Sequence, residues 1–104
     1  LNISLPSAIM TRAIITITEG KTAALQDLGI ADVNNGLPAT GTGTDGITLI
    51  TDPDAPRYTD AGTFSVLGSL LASAAYETVR ECLELYDKPW MILSLRRPPS
   101  ICPA

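Results

Sequence analysis

The residues most able to do chemistry lie together in Pro38-Ala39-Thr40-Gly41-Thr42-Gly43-Thr44-Asp45-Gly46, which sets several exposed amides, three hydroxyls and one carboxylate within a few positions. Glycines at Gly41, Gly43 and Gly46 let the backbone turn tightly and present its N–H groups to a bound anion or a developing oxyanion. Asp45 is the only charge in the run.

Gly41-Thr42-Gly43-Thr44-Asp45-Gly46 formally satisfies the dinucleotide pattern G-x-G-x-x-G, but its context excludes that reading. A dinucleotide loop needs a strand before it and a helix opening at its end, whereas Ile47-Thr48-Leu49-Ile50-Thr51 reads as a strand directly after it. A phosphate loop is excluded as well, because no Lys follows the last glycine and no helix N-terminus stands behind it.

Two helices must position this loop. Met10, Ile14, Ile17, Ala24 and Leu28 recur at helical spacing, although Ile15-Thr16-Ile17-Thr18 alternates like a β-branched strand. Pro6 near the start and Gly29 just past the end favour a helix. On that helix Lys21 shares the apolar stripe and Glu19 faces the other way, so the Lys21 stem points inward. Its ammonium either escapes to water or reaches the loop and pairs with Asp45. A second helix is read from Phe64, Leu67, Leu71, Ala74, Thr78, Cys82 and Leu85, with Glu77, Arg80 and Glu84 on its flank.

Between the helices, Asp52-Pro53-Asp54-Ala55-Pro56 ends the strand at Ile47 to Thr51, since proline cannot donate to a ladder. Trp90-Met91-Ile92-Leu93-Ser94-Leu95 is apolar enough for a buried strand that Pro98-Pro99 terminates. Strands alternating with helices predict an α/β or α+β fold: a small sheet with both helices on one face, in two layers. Residues 1–95 are expected to form a single domain and residues 96–104 a flexible tail.

Composition narrows the function. The 104 residues, 45% hydrophobic, suit one modest core. A net charge of -4 and a pI near 4.5 argue against nucleic acid or an anionic membrane as partner. No apolar run approaches the ~20 residues that span a bilayer, so a cytoplasmic protein is expected. Cys82 and Cys102 lie in unlike settings and imply no bridge, and with no His there is no recognisable zinc pattern, so no metal is expected.

With its flanks, the loop resembles the adenosylcobinamide amidohydrolase (CbiZ-type) family. Its A-T-G-T-G-T-D matches Ala39 to Asp45, and the family helix with its E-A-K-x-A-A-L core is similar to Glu19-Gly20-Lys21-Thr22-Ala23-Ala24-Leu25. Ala61-Gly62-Thr63, Leu67-Gly68 and Ala75-Tyr76-Glu77 are similar to the family's A-G-x-H-T-x-x-G stretch and the helix after it. Order and spacing agree from about Leu5 to Leu85. Phe64 stands at or beside the usual His, and Gly20 replaces the usual Ala at an intrinsic helix cost of about 0.8 to 1.0 kcal/mol. The resemblance implies a family domain that extends upstream, so this chain is expected to be its C-terminal portion, with Leu1-Asn2-Ile3-Ser4 expected as the end of a strand.

The resemblance implies cobamide salvage: hydrolysis of the amide joining a corrin propionate to aminopropanol, giving adenosylcobyric acid. That reaction needs an activated nucleophile, oxyanion stabilisation and a proton for the leaving amine. Asp45 or Glu19 would activate water, with Lys21 tuning that carboxylate or stabilising charge. Thr40, Gly41, Thr42, Gly43 and Thr44 would hold the substrate, and the N–H groups of Gly41 to Thr44 would face the oxyanion, a donor of which is worth about 2.7 to 4 kcal/mol. A threonine nucleophile is less favoured, since Thr40, Thr42 and Thr44 show no evident base partner, although Lys21 could serve. The corrinoid is the substrate and no cofactor is expected. The alternative is a corrinoid-binding or interaction module without catalysis. A third possibility is a structural half that pairs with a second copy or a completing chain through an exposed strand edge.

Overall fold

A computed structural model describes residues 1–86, and within them the regular structure is two α-helices, α1 (Ser7–Asp27) and α2 (Val66–Tyr86), packed against each other as a hairpin. The expected segments Trp90 to Leu95 and residues 96–104, with Arg96, Arg97 and Cys102, lie outside the described residues.

α1 begins where Pro6, extended at φ −59° and ψ 153°, turns its carbonyl to the amides of Ile9 and Met10, each at 2.9 Å. It ends in a left-handed cap. Gly29 takes φ +68°, its N–H donates to the Gln26 carbonyl at 3.0 Å, and the Ile30 N–H donates to the Leu25 carbonyl at 3.0 Å. That pair of bonds satisfies carbonyls the helix leaves open and needs a residue without a Cβ at the turn. α2 is capped by Ser65, whose Oγ accepts the Gly68 N–H at 2.9 Å while its hydroxyl donates to the Gly62 carbonyl at 2.7 Å.

The expected sheet is absent among the described residues. Ile47 to Thr51 forms no strand, and only two isolated bridges occur, Ser4 with Arg57 in parallel and Ala31 with Pro38 antiparallel. The N-terminal segment does run beside residues 50–58. Ser4 N–H donates to Pro56 O at 2.9 Å, Tyr58 N–H to Ser4 O at 2.9 Å, and Asp52 N–H to Ile3 O at 3.0 Å. The turn at Asp52 to Pro56 loops out between these bonds, and Pro53 and Pro56 bring no N–H, so pairing stops at one bridge instead of growing into a ladder. The two-layer arrangement of helices on a sheet is therefore replaced by helix on helix, with extended segments wrapped around the N-terminal half of α1.

The buried side of α1 is rotated from the predicted stripe. Of that stripe Ala24 is buried, Met10, Ile17 and Leu28 are half-buried and Ile14 is exposed, and the other buried residues are Ala13, Thr16, Gly20 and Leu25. Small residues line that side because α2 approaches closely: a Cβ on Gly20 would collide with the backbone of Ala72, 3.1 Å from its Cα and closer still to its carbonyl oxygen. The propensity loss at Gly20 thus permits the helix crossing. Thr16 Oγ1 donates to the Ala61 carbonyl at 2.6 Å in the interior, satisfying a backbone acceptor that water cannot reach. Leu5, Ala13 and Ala61 form a buried cluster ringed by Ile3, Ile9, Met10, Leu49, Leu67 and Leu71. On α2, Leu83 is buried, whereas Phe64, ahead of the helix, is fully exposed. No helix among the described residues is long and apolar enough to cross a membrane.

Candidate functional site

α1 holds the glycine/threonine loop at two consecutive residues. Thr22 Oγ1 donates to the Thr40 carbonyl at 3.0 Å, and Lys21 Nζ donates to Asp45 Oδ2 at 2.5 Å. Lys21 keeps 24% of its side chain exposed and Asp45 32%, so the pair sits at the surface and is half sheltered.

The loop closes on itself through Asp45. Oδ2 also accepts the Thr42 N–H at 3.1 Å, and Oδ1 accepts the Thr42 hydroxyl at 2.7 Å. Thr42 Oγ1 lies 3.4 Å from both the Thr44 amide and Thr44 Oγ1. Gly41 covers the ion pair: a Cβ there would fall 2.6 Å from Lys21 Nζ and would overlap the Asp45 carboxylate. Anything larger than hydrogen there requires the two side chains of the pair to shift.

These contacts set the electrostatics. The hydrogen bond from Lys21, then that from the Thr42 hydroxyl, hold the Asp45 carboxyl at about 2, below its ordinary 3.8, against a smaller opposing effect of burial. Asp45 is therefore an ionised acceptor over the whole physiological range. The loop amides divide. Those of Thr42, Thr44 and Asp45 are committed within the loop, whereas those of Thr40, Gly41, Gly43 and Gly46 have no acceptor among the described residues.

Of the residues expected to act, Lys21, Asp45, Thr40, Gly41, Thr42, Gly43 and Thr44 come together, and Glu19 does not join them. Two residues before Lys21, it points about 200° away around the helix. Its Oε2 accepts the Thr63 hydroxyl at 3.3 Å beside an open cleft of about 430 Å³ lined by Gly20, Ala72, Tyr76 and Glu77 among others. A second recess of about 320 Å³ lies behind the α1 cap at Gly29, Ile30 and Pro38. Neither recess is lined by Lys21 or Asp45. Among the described residues no three Cys, Asp or Glu side chains gather as a metal ion would require.

Three supporting contacts escaped the sequence reading. Thr22 moors the loop, and its signal was only its place next to Lys21. The Thr42 to Asp45 bond was foreshadowed by the T-x-x-D spacing, which brings a residue's hydroxyl within reach of a carboxylate three positions on. Tyr76 braces the helix pair, its hydroxyl donating to Asp27 Oδ2 at 2.5 Å, and accepting that carboxylate as partner raises the phenol above its ordinary value.

The sequence matches the model of the family described as adenosylcobinamide amidohydrolase over residues 1–89. It is 42% identical over 89 residues to an uncharacterized protein of Methanocaldococcus jannaschii, a match covering 84% of this chain and 34% of that protein. The chain thus spans about a third of the length of this relative. No solved structure matches. The loop, the lysine beneath it and the helix that carries the lysine all fall within the matched residues, and the chain belongs to the adenosylcobinamide amidohydrolase family.

Proposed function

We propose that this chain serves the hydrolysis of adenosylcobinamide to adenosylcobyric acid and aminopropanol, as part of cobamide salvage. Family membership supports the substrate, and the Lys21–Asp45 pair beneath Gly41 is the observation that supports the chemistry. Lys21, fixed by Asp45, stabilises negative charge on the amide oxygen, and the amides of Gly41 and Gly43 add donors in the same loop. A corrin edge rich in amides also suits the exposed hydroxyls of Thr40 and Thr44. Glu19, on the other side of α1, takes no part in this centre.

A non-catalytic corrinoid-binding role is the second reading. It is favoured by the hydrogen bonds that both Asp45 oxygens already accept within the chain. Incubation with adenosylcobinamide and assay of free aminopropanol separates the two. Release is expected, with a loss of about 10²–10³ in rate for Lys21→Met and Asp45→Asn and the native rate for Glu19→Gln. Tight binding with no release would overturn hydrolysis in favour of binding.

A further inference from the structure

The geometry points to Thr42 Oγ1 as the nucleophile of the amide cleavage, through an ester formed on the loop itself. This inference rests on the hydrolytic reading above and adds to it the attacking atom. From sequence, no threonine of the run has an evident base. In the folded chain Thr42 acquires one, because its hydroxyl donates to Asp45 Oδ1 at 2.7 Å, within the normal range for a charge-assisted O–H···O bond. Asp45 is in turn oriented by Lys21 at 2.5 Å, so nucleophile, base and orienting group form a chain of three. The other threonines lack this: Thr44 Oγ1 meets only Thr42 Oγ1, at 3.4 Å, and Thr63 reaches Glu19 at 3.3 Å with no lysine behind it. Thr42 is also flanked by Gly41 and Gly43, whose amides are among the uncommitted donors of the loop.

The steps balance. As the bond from Thr42 Oγ to the amide carbon forms, the hydroxyl proton passes to Asp45 Oδ1 and the carbonyl π pair moves onto oxygen. The C–N bond then breaks, its electron pair stays on nitrogen, and Asp45 gives that nitrogen the proton, releasing the amine and leaving a Thr42 ester. Water adds to the ester carbon, its proton travels through Asp45 to Thr42 Oγ, and the carboxylic acid departs. Asp45 holds the proton only in transit between Thr42 Oγ1 and the amine nitrogen, with Lys21 fixing its orientation.

The test uses p-nitrophenyl acetate, an activated acyl donor that does not depend on the corrinoid. The full chain is acetylated briefly, quenched in acid and mapped by peptide mass spectrometry, while aminopropanol release from adenosylcobinamide is assayed in parallel. Acetyl is expected on Thr42 in the native chain and in Thr42→Ser, at least tenfold less in Asp45→Asn, and none at that position in Thr42→Val, with helical circular dichroism retained. Acetyl found on lysines with none on Thr42 overturns the nucleophile, as does aminopropanol release by Thr42→Val at the native rate. Acetyl on Thr42 without aminopropanol release supports the nucleophile and sinks the substrate reading instead.

Discussion

Lys21 and Asp45 lie 24 residues apart in sequence and meet at 2.5 Å, with Gly41 laid across the contact. One carboxylate thereby serves two purposes: it closes the loop through Thr42 and anchors the loop to α1 through Lys21.

Acid should release this anchor. The folded Asp45 carboxyl is depressed to about 2 from 3.8, so its contribution is fully present above about pH 4 and is lost as pH falls through about 2. The drop corresponds to at most about 2.4 kcal/mol, and with 32% of the side chain in water about 1 kcal/mol is expected. Urea unfolding of the native chain and Asp45→Asn should show a stability gap at pH 6 that closes between pH 4 and pH 2. A gap that widens on acidification would contradict the pairing.

Gly41→Ala should dislodge the pair, because the added methyl occupies the space 2.6 Å from Lys21 Nζ. In a carboxyl NMR titration the Asp45 midpoint should rise toward 3.8, while the folded fraction stays close to native because the loop is exposed. An unchanged midpoint would mean that the methyl is accommodated with the ion pair intact.

At Gly20 two effects oppose each other. Helix propensity alone favours Gly20→Ala by about 0.8 to 1.0 kcal/mol, but the methyl would press into the Ala72 backbone, and overpacking of this kind costs about 1–3 kcal/mol. Backbone cannot swing aside as a side-chain end can, so net destabilisation is expected in thermal unfolding. A rise in Tm would show that the helices separate at little cost.

Thr16→Val keeps the shape and removes the donor to Ala61 O. The stranded buried carbonyl should lower stability by about 1–3 kcal/mol, whereas Thr18→Val, whose hydroxyl bonds to the Ile14 carbonyl on the exposed side of the same helix, should change it by less than about 0.5 kcal/mol. Equal effects in chemical denaturation would refute the distinction.

The loop was legible because glycine spacing leaves a mark in the sequence, whereas the pairing of Lys21 with Asp45 was one of two readings of a lysine placed on a stripe that is not the buried face. The sheet was misread because Ile47 to Thr51 has strand composition, whereas strand formation depends on a partner edge, and the prolines at Pro53 and Pro56 limit the nearest one to a single bridge. The face of α1 was misread because its crossing with α2 is too close for the isoleucines that define the hydrophobic stripe. Ala13, Thr16 and Gly20 fit there beside Ala24, the one buried member of that stripe, and hydrophobicity scales do not rank a glycine or threonine as core. Ser65 as a cap went unread because Phe64 looked like the first apolar position of α2, although its ring stands wholly in solvent.

Residues 30–39 leave the α1 cap and return through the Ala31–Pro38 bridge and the Ala39 to Ile30 bond before the chain reaches Thr40. They make a closed bight whose two ends are tied to each other, and Thr22 grips the chain only beyond it. Length variation inside the bight is therefore decoupled from the placement of Asp45, and this is where the chain can accept insertions without disturbing its ion pair.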